Sequence, residues 1–132
     1  MKFLHLTMPI YKQKKNGKRL LLGWNQISNL NRYAKNSIKQ WYTREVIKRI
    51  DGEEKINYDG KYSLVLTLYY KNKRSDRNNV CAVAEKYTLD ALQVYGLITE
   101  DDVEHSIECH SCVGGRDKDN PRIEIELFKK EW

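Results

Sequence analysis

The chain has 132 residues, two prolines and an apolar content of 40%, which together predict one ordered domain over residues 1–132. No apolar run approaches the ~20 residues of a membrane span, and the N-terminal apolar run is too short for a signal peptide, so we expect no membrane partner. The net charge of +6 favours a polyanionic partner.

The first quarter of the chain predicts two short strands around a basic turn. Residues 2–9 alternate loosely between apolar and polar, as a strand does. The basic segment 11–19 contains Asn16-Gly17, a dipeptide favoured in hairpins. The apolar residues 20–24 then predict a second short strand.

The middle of the chain predicts a helix followed by a buried strand. Apolar residues recur over 29–50 at helical spacing, and Asp51-Gly52 ends the pattern. Residues 51–61 are a polar loop. The run 62–70 is rich in leucine, valine and aromatic residues, which suits a central strand.

The last part predicts a second helix and two strands. A basic loop over 71–75 leads to Asp76, a natural N-cap, and Gly96 ends the helix that follows. Two strands are then predicted, separated by a turn, in the order 103–113, Gly114-Gly115 and 122–128. The chain is therefore expected to form an α+β domain, with two helices packed on a small mixed sheet.

The charges are unevenly divided along the chain. Residues 1–75 hold 17 basic and 5 acidic residues, a net of +12, whereas residues 76–132 hold 7 basic and 13 acidic residues, a net of −6. Basic residues attract a nucleic-acid backbone, and clustered carboxylates hold a divalent metal. The asymmetry indicates a nuclease; a solvated surface of uneven charge is the alternative.

The chain has three cysteines, an odd number, and we find no secretory signal in its sequence. Disulfides are therefore not expected, and we expect the protein to be cytoplasmic.

Residues 76–102 carry the most specific pattern. Acidic and amide residues open the helix, Lys86 lies in its middle, and an acidic cluster follows its end. Carboxylates at the two ends of one helix meet if the strands before and after the helix have these ends at the same edge of the sheet. We expect the acidic residues on the two sides of this helix to meet in that way. Lys86 is then available to a phosphate; an ion pair with Asp90, four residues on, is the alternative. The pattern in order is Asp76-x-Asn78-Asn79, Lys86, Asp90-Ala91-Leu92, Gly96 and Asp101-Asp102.

This pattern resembles the RusA-type Holliday junction resolvases, small and mostly phage-borne endodeoxyribonucleases. The resemblance covers about a quarter of the chain closely. It implies cleavage of four-way junctions or other branched DNA, Mg²⁺ (with Mn²⁺ possible) as cofactor, a homodimer, and a phage or prophage origin. The implied catalytic residues are Asp76, Lys86, Asp101 and Asp102, and the implied metal ligands are Asp76, Asn78, Asp101 and Asp102.

The chain departs from the family at Asn78, where the family has its second aspartate. A neutral amide holds Mg²⁺ less tightly than a carboxylate. Glu85 lies seven residues further along the helix, on nearly the same face as Asn78, and is an alternative ligand.

The basic segments 12–19, 35–49 and 71–77 are the expected DNA surface, and one or two of the aromatic residues interleaved with them, such as Tyr33, are candidates for stacking on unpaired bases. The expected contacts are Lys14, Lys15, Lys18, Arg19, Lys73, Arg74 and Arg77.

Two other classes of function remain open. One is a DNA-binding protein that keeps this fold without cleavage, since Asn78 weakens the metal site. The other is a phage protein that binds a regulator from the host or from a mobile element.

Overall fold

The computed structural model of the chain describes residues 1–73 and 76–130, so the expected DNA contact Arg74 lies outside the described residues. Within those residues the chain forms strands and helices in the order β1 (Lys2–Pro9), β2 (Tyr11–Gln13), β3 (Arg19–Leu21), α1 (Trp24–Ser28), α2 (Arg32–Ile50), β4 (Lys61–Tyr70), α3 (Arg77–Tyr95), β5 (Ser106–Arg116) and β6 (Arg122–Lys130).

The main sheet is mixed, with the strand order β1-β6-β4-β5. β6 pairs antiparallel with both β1 and β4, and β4 pairs parallel with β5. β4 is therefore central, as its apolar sequence predicts, and β5 is an outer strand. β2 and β3 form a separate hairpin. The predicted α+β architecture with a small mixed sheet is confirmed.

One face of the sheet carries the core. Alternate residues of β1, β4 and β6 are buried on this face. They are Leu4, Leu6, Met8, Leu64, Leu66, Leu68, Ile123, Ile125 and Leu127. α2 and α3 supply the opposing layer, where Tyr42 packs against Tyr87 and its hydroxyl lies 3.4 Å from that of Thr88. Each such apolar side chain contributes roughly 1.5–3 kcal/mol when it is fully buried. The core thus fixes the position of α3 over the sheet.

The ends of the long helices follow the capping residues. Asn31 accepts a hydrogen bond from the N–H of Ala34, so α2 begins at Arg32 rather than at residue 29. Asp76 is the N-cap of α3, and Gly96 ends that helix in the left-handed conformation with φ of 98°. Both ends of α3 therefore lie where the sequence predicts them.

The structure corrects two local predictions. The strand predicted over 20–24 ends at Leu21, and Trp24 begins the short helix α1, which the sequence analysis missed. Gly114 and Gly115 lie inside β5 rather than in a turn. Pairing shifts there from Leu68 with Val113 to Tyr69 with Gly115, which leaves Gly114 as the extra residue of a bulge.

Among the described residues, no helix combines the length and the apolar composition that crossing a membrane requires.

Gly96 has a backbone conformation that residues with a Cβ adopt at a cost of about 1–2 kcal/mol. We expect Gly96→Ala to lower the free energy of unfolding by about that amount, measured by urea denaturation. The control is Val94→Ala on the same helix, where the side chain is 70% exposed. An effect no larger than that of the control would contradict the role of the left-handed cap.

Candidate functional site

Asp76 lies where the chain passes from the end of β4 into α3. Its Oδ1 accepts hydrogen bonds from the N–H groups of Asn78 at 2.9 Å and Asn79 at 3.3 Å. Asp76 and Asn78 are both exposed. Asp76 thus caps the N-terminus of α3, where the helix dipole favours a negative charge, and its carboxylate is open to solvent.

The residues beside Asp76 bind other parts of the chain. Asn79 accepts from the backbone N–H of Asn25 at 2.7 Å and donates to Gln26 Oε1 at 2.8 Å, which ties α1 to α3. Arg77 donates to the backbone oxygen of Ser111 at 3.0 Å and to its hydroxyl at 2.8 Å. Asn79 therefore has a structural role, and the Arg77 guanidinium lies along β5.

Lys86 lies in the middle of α3 between two carboxylates. Its Nζ is 3.2 Å from Asp90 Oδ1 and 3.6 Å from Asp101 Oδ2. The hydrogen bond and the charge of Asp90, with a smaller contribution from Asp101, raise the pKa of Lys86 above its ordinary value. Lys86 is therefore a cation at neutral pH. The ion pair with Asp90, which the sequence offered as the alternative role of Lys86, is present together with a contact to the acidic cluster.

Asp102 is bound by a histidine to which the sequence analysis assigned no role. His105 lies before β5, and its Nδ1 is 2.6 Å from Asp102 Oδ1 while its Nε2 is 2.9 Å from Asp59 Oδ1. The hydrogen bonds to Asp102 and then Asp59 raise the pKa of His105. The pKa of Asp102 is lowered mainly by His105, and that of Asp59 is lowered by the hydroxyl of Thr99 first and by His105 second. The spacing of Asp102 and His105 is visible in the sequence, but the approach of Asp59 is not.

An open cleft of about 400 Å³ separates α3 from the loop before β5. Glu85 and Lys86 of α3 line one side, and Asp101 and Asp102 line the other. Glu85 also approaches Cys109, a residue that is exposed but whose thiol is partly shielded from water. That shielding first and the glutamate second raise the pKa of Cys109 to about 12. The cleft therefore gathers three carboxylates and a lysine within reach of solvent.

The two acidic ends of the motif do not converge in one chain, and the expectation that they do is wrong. β4 and β5 are parallel, so the start of β5 lies beside the start of β4, with Tyr62 opposite Ser106, and far from its end. Lys86, the neighbour of Asp101, is ten residues from Asp76, or about 15 Å along α3. A helix that connects two parallel strands imposes this separation, because it must run back along the sheet.

The predicted metal ligands consequently do not fit one ion within a single chain. Asp76 and Asn78 lie at the start of α3, whereas Asp101 and Asp102 lie beside its middle. Among residues 1–73 and 76–130, no three acidic, histidine or cysteine side chains are close enough to share a metal. Glu85 faces the cleft, about 10 Å along the helix from Asn78, so it does not complete a site there.

The basic hairpin has the form predicted for it. Gly17 adopts φ of 83° at the turn, and the N–H of Lys14 donates to the carbonyl of Lys18 at 2.7 Å. Lys14, Lys15 and Lys18 are exposed, and the Arg19 guanidinium lies 5.2 Å from the centre of the Tyr11 ring. The hairpin presents four cations to solvent. Lys73, in the loop before α3, is also exposed.

A second basic surface lies at the start of α2. A groove of about 730 Å³ is lined by Arg32, Lys35 and Lys39 together with Tyr33, whose side chain is 86% exposed. Lys35 and Lys39 belong to the predicted basic segment 35–49 and Tyr33 to the predicted aromatic candidates. Arg32 was not assigned, because a helical pattern does not tell which polar face remains uncovered. An exposed tyrosine among cations suits contact with a nucleic acid.

No protein-family model matches the chain, and a search of the curated proteins finds no match to it. The RusA-type resemblance therefore rests on the motif residues alone.

His105 makes stability depend on pH. Its pKa is raised in the folded protein, so its contribution is complete below the unfolded value of about 6.5 and disappears as the pH rises through the folded value. The lowered pKa values of Asp59 and Asp102 add stability that is lost only at acidic pH, below about 4.

We expect His105→Gln to lower the urea midpoint most at about pH 5.5 and least at about pH 9. The exposed Glu104→Gln, in the same turn, is the control. An effect of His105→Gln that does not vary with pH would mean that the imidazolium does not bridge the two carboxylates.

Proposed function

We propose that the chain is a structure-specific endodeoxyribonuclease that cleaves four-way junctions or other branched DNA in recombination, repair or phage DNA processing. The observation that carries the proposal is the open cleft beside α3. There a lysine held in its cationic form lies next to the Asp101-Asp102 pair. The exposed carboxylate of Asp76 lies on the same helix.

The DNA would be bound by the two basic surfaces, the hairpin and the α2 groove. The hairpin cations and the α2 groove lie outside the hydrophobic core and are accessible to phosphates, although Lys39 of the groove is paired with Asp90. Arg77 and Lys73 extend this positive charge to the start of α3. Contacts of this kind position the DNA backbone without distinguishing its bases. A protein that selects DNA by its branched shape requires contacts of this kind.

Among the residues of the chain, Lys86 has a position from which it could assist phosphodiester hydrolysis. Lys86 is placed to neutralise charge on a phosphate or on the leaving oxygen. The resemblance implies Mg²⁺, with Mn²⁺ as a substitute, and such an ion would supply an activated water. Because the carboxylates of one chain do not fit one ion, no metal-dependent step is assigned to a single chain.

A second candidate function is a DNA-binding protein without cleavage. The separation of Asp76 from Asp101 and the neutral Asn78 both favour it. Incubation with a synthetic four-way junction in Mg²⁺, compared with EDTA, distinguishes the two, because only the nuclease produces Mg²⁺-dependent nicks.

We expect Asp76→Asn to abolish junction cleavage and to leave junction binding equal or tighter, because it removes a negative charge near phosphate. Asparagine is as good an N-cap as aspartate, so the variant should remain folded. The control is Asp119→Asn in the loop before β6. Denaturing gels for cleavage and gel shifts for binding give the two readouts, and full cleavage by Asp76→Asn would refute the role of this carboxylate.

The hairpin supplies a test of the DNA surface. Replacing Lys14, Lys15, Lys18 and Arg19 together by alanine should flatten the log–log dependence of affinity on salt by about 0.9 for each side chain that contacts a duplex phosphate. Linear and branched DNA should be affected alike. Fluorescence anisotropy at several salt concentrations measures both.

The matched control is the double variant Lys2→Ala and Lys130→Ala. These lysines already pair with Glu126 at 3.2 Å and Glu108 at 3.7 Å. An unchanged salt slope in the hairpin variant would show that the hairpin faces away from the DNA.

A further inference from the structure

The α2 groove contains side chains that the fold itself does not use. Its polar residues recur at helical spacing on one face of α2, at Arg32, Lys35, Asn36 and Lys39. Within the described part of the chain, neither Arg32 nor Lys35 forms an ion pair, and the Asn36 amide forms no hydrogen bond. Two cations and an amide are therefore available to a ligand.

The cations of the groove do not stabilise α2. The helix dipole opposes a cation at the N-terminus, and like charges three or four residues apart on one helix face repel each other. Arg32 opens the helix, Lys35 follows it by three residues, and Lys39 follows Lys35 by four. The single acid of α2, Glu45, pairs with basic residues of the last turn. An anion in the groove would relieve the repulsion at the start of the helix.

Tyr33 presents a free aromatic ring beside these cations. The structure describes all nine tyrosines, and Tyr33 alone is exposed, at 86%, whereas the other eight are buried or half-buried. Asn36 follows Tyr33 by three residues, so the two are neighbours on the helix surface. A nucleobase stacks on the face of such a ring, and an amide binds the edge of a base. The pair offers both kinds of contact.

The shape of the groove selects an unpaired strand. Tyr87 of α3 forms its floor and packs edge-on against Tyr42, with the ring centres 5.7 Å apart. The volume of about 730 Å³ matches the roughly 300–1,000 Å³ of sites for small ligands, so a nucleotide fits and a double helix does not. The bases of a duplex are also stacked inside it, out of reach of a ring on the protein surface.

The hairpin is built differently. Its cations accompany one aromatic ring, Tyr11, and the Arg19 guanidinium lies 5.2 Å from the centre of that ring. The segment 11–19 therefore offers charge without a free ring, which suits the phosphates of duplex arms. The two basic surfaces differ in the form of DNA that they can hold.

The groove leads to the cleft beside α3. From Arg32 to Lys39 the helix rises about 10 Å, the length of about three stacked nucleotides. Lys39 Nζ lies 3.1 Å from Asp90 Oδ2, and Lys86 Nζ of the cleft lies 3.2 Å from Asp90 Oδ1. One carboxylate thus separates the last cation of the groove from the lysine of the cleft. A strand that leaves the groove past Lys39 would bring its next phosphates to the cleft.

We infer that the α2 groove binds a short unpaired stretch of single-stranded DNA, with Tyr33 stacked on a base and with Arg32 and Lys35 on phosphates. The preferred substrates are then branched DNAs with an unpaired arm, such as splayed duplexes and flaps, rather than fully paired four-way junctions. The inference rests on the proposed function for the use of the bound strand, while the binding itself is tested without cleavage.

The first experiment measures binding in EDTA by fluorescence anisotropy, with a short labelled oligothymidine and a duplex of the same length. Tyr33→Ala should weaken binding of the oligothymidine about 5- to 150-fold, the effect of one lost base stack, and should hardly change binding of the duplex. Tyr33→Phe keeps the ring and should bind as the wild type does. A wild type that does not bind the oligothymidine, or a Tyr33→Ala variant that binds it equally well, would overturn the inference.

The second experiment tests the phosphate contacts. Arg32→Ala combined with Lys35→Ala should flatten the log–log dependence of oligothymidine affinity on salt by about 1.4, at about 0.7 for each contact with a single strand. The control, Lys48→Ala with Arg49→Ala, removes the same charge from the other end of α2. These two residues already lie 3.6 and 3.0 Å from Glu45. Equal effects of the two double variants would show that the groove is not the site.

The third experiment compares nicking of a splayed duplex and of a closed four-way junction in Mg²⁺, with both DNAs below saturation. The wild type should nick the splayed duplex faster, and Tyr33→Ala should reduce this preference by the same factor as the oligothymidine affinity. If the oligothymidine binds through Tyr33 but neither DNA is nicked, the proposed function fails and the single-strand site stands. If the wild type nicks both DNAs and Tyr33→Ala leaves their ratio unchanged, the nuclease stands and the inference is wrong.

Discussion

The parallel pairing of β4 with β5 is the constraint on which the arrangement of this protein depends. α3 joins the two strands and must run back along the sheet, so the residues before it and after its loop lie at opposite ends. Every functional residue of the motif takes its position from this crossover. A hairpin between the same strands would have brought the acids together.

The loop after α3 is held in place by contacts with both of its neighbours. The hydroxyl of Tyr62 donates to the carbonyl of Glu100 at 2.7 Å, and the hydroxyl of Thr99 donates to Asp59 at 2.7 Å. The hydroxyl of Tyr62 is largely withdrawn from water, which raises its pKa, and the nearby Asp101 raises it further. The acidic loop is thus a fixed wall of the cleft, and its carboxylates are oriented before any ligand arrives.

The uneven charge of the chain is rearranged by folding. Seven of the 17 basic residues in the first half lie on the hairpin or in the α2 groove, and one of them, Lys39 of α2, reaches Asp90 of α3 at 3.1 Å. Lys86 binds the same carboxylate. One aspartate therefore links the basic helix to the lysine of the cleft, and the groove and the cleft lie on adjoining faces of α3.

The sequence by itself determined the positions of the main helices and strands, and it determined where α3 begins and ends. Alternation and helical spacing are local, and an N-cap aspartate or a C-terminal glycine acts within a few residues, so β4, α2, α3 and β6 could be located from it. It also identified Lys86 beside Asp90, since a separation of four residues on a helix brings side chains together. The short helix α1 and the bulge at Gly114 escaped it, because Asn79 and the Tyr69 ring, distant in sequence, fix them.

Only the tertiary structure decided how the candidate site is divided. Asp76 follows β4 and Asp101 precedes β5, and the two strands are joined by α3. The relative direction of the strands decides whether these residues meet at one end of the sheet, and the local sequence pattern does not encode that direction. For the same reason the sequence did not reveal that His105 binds Asp59, 46 residues away, as well as Asp102. Strand pairing sets these distances, and it does so through backbone hydrogen bonds common to every residue type.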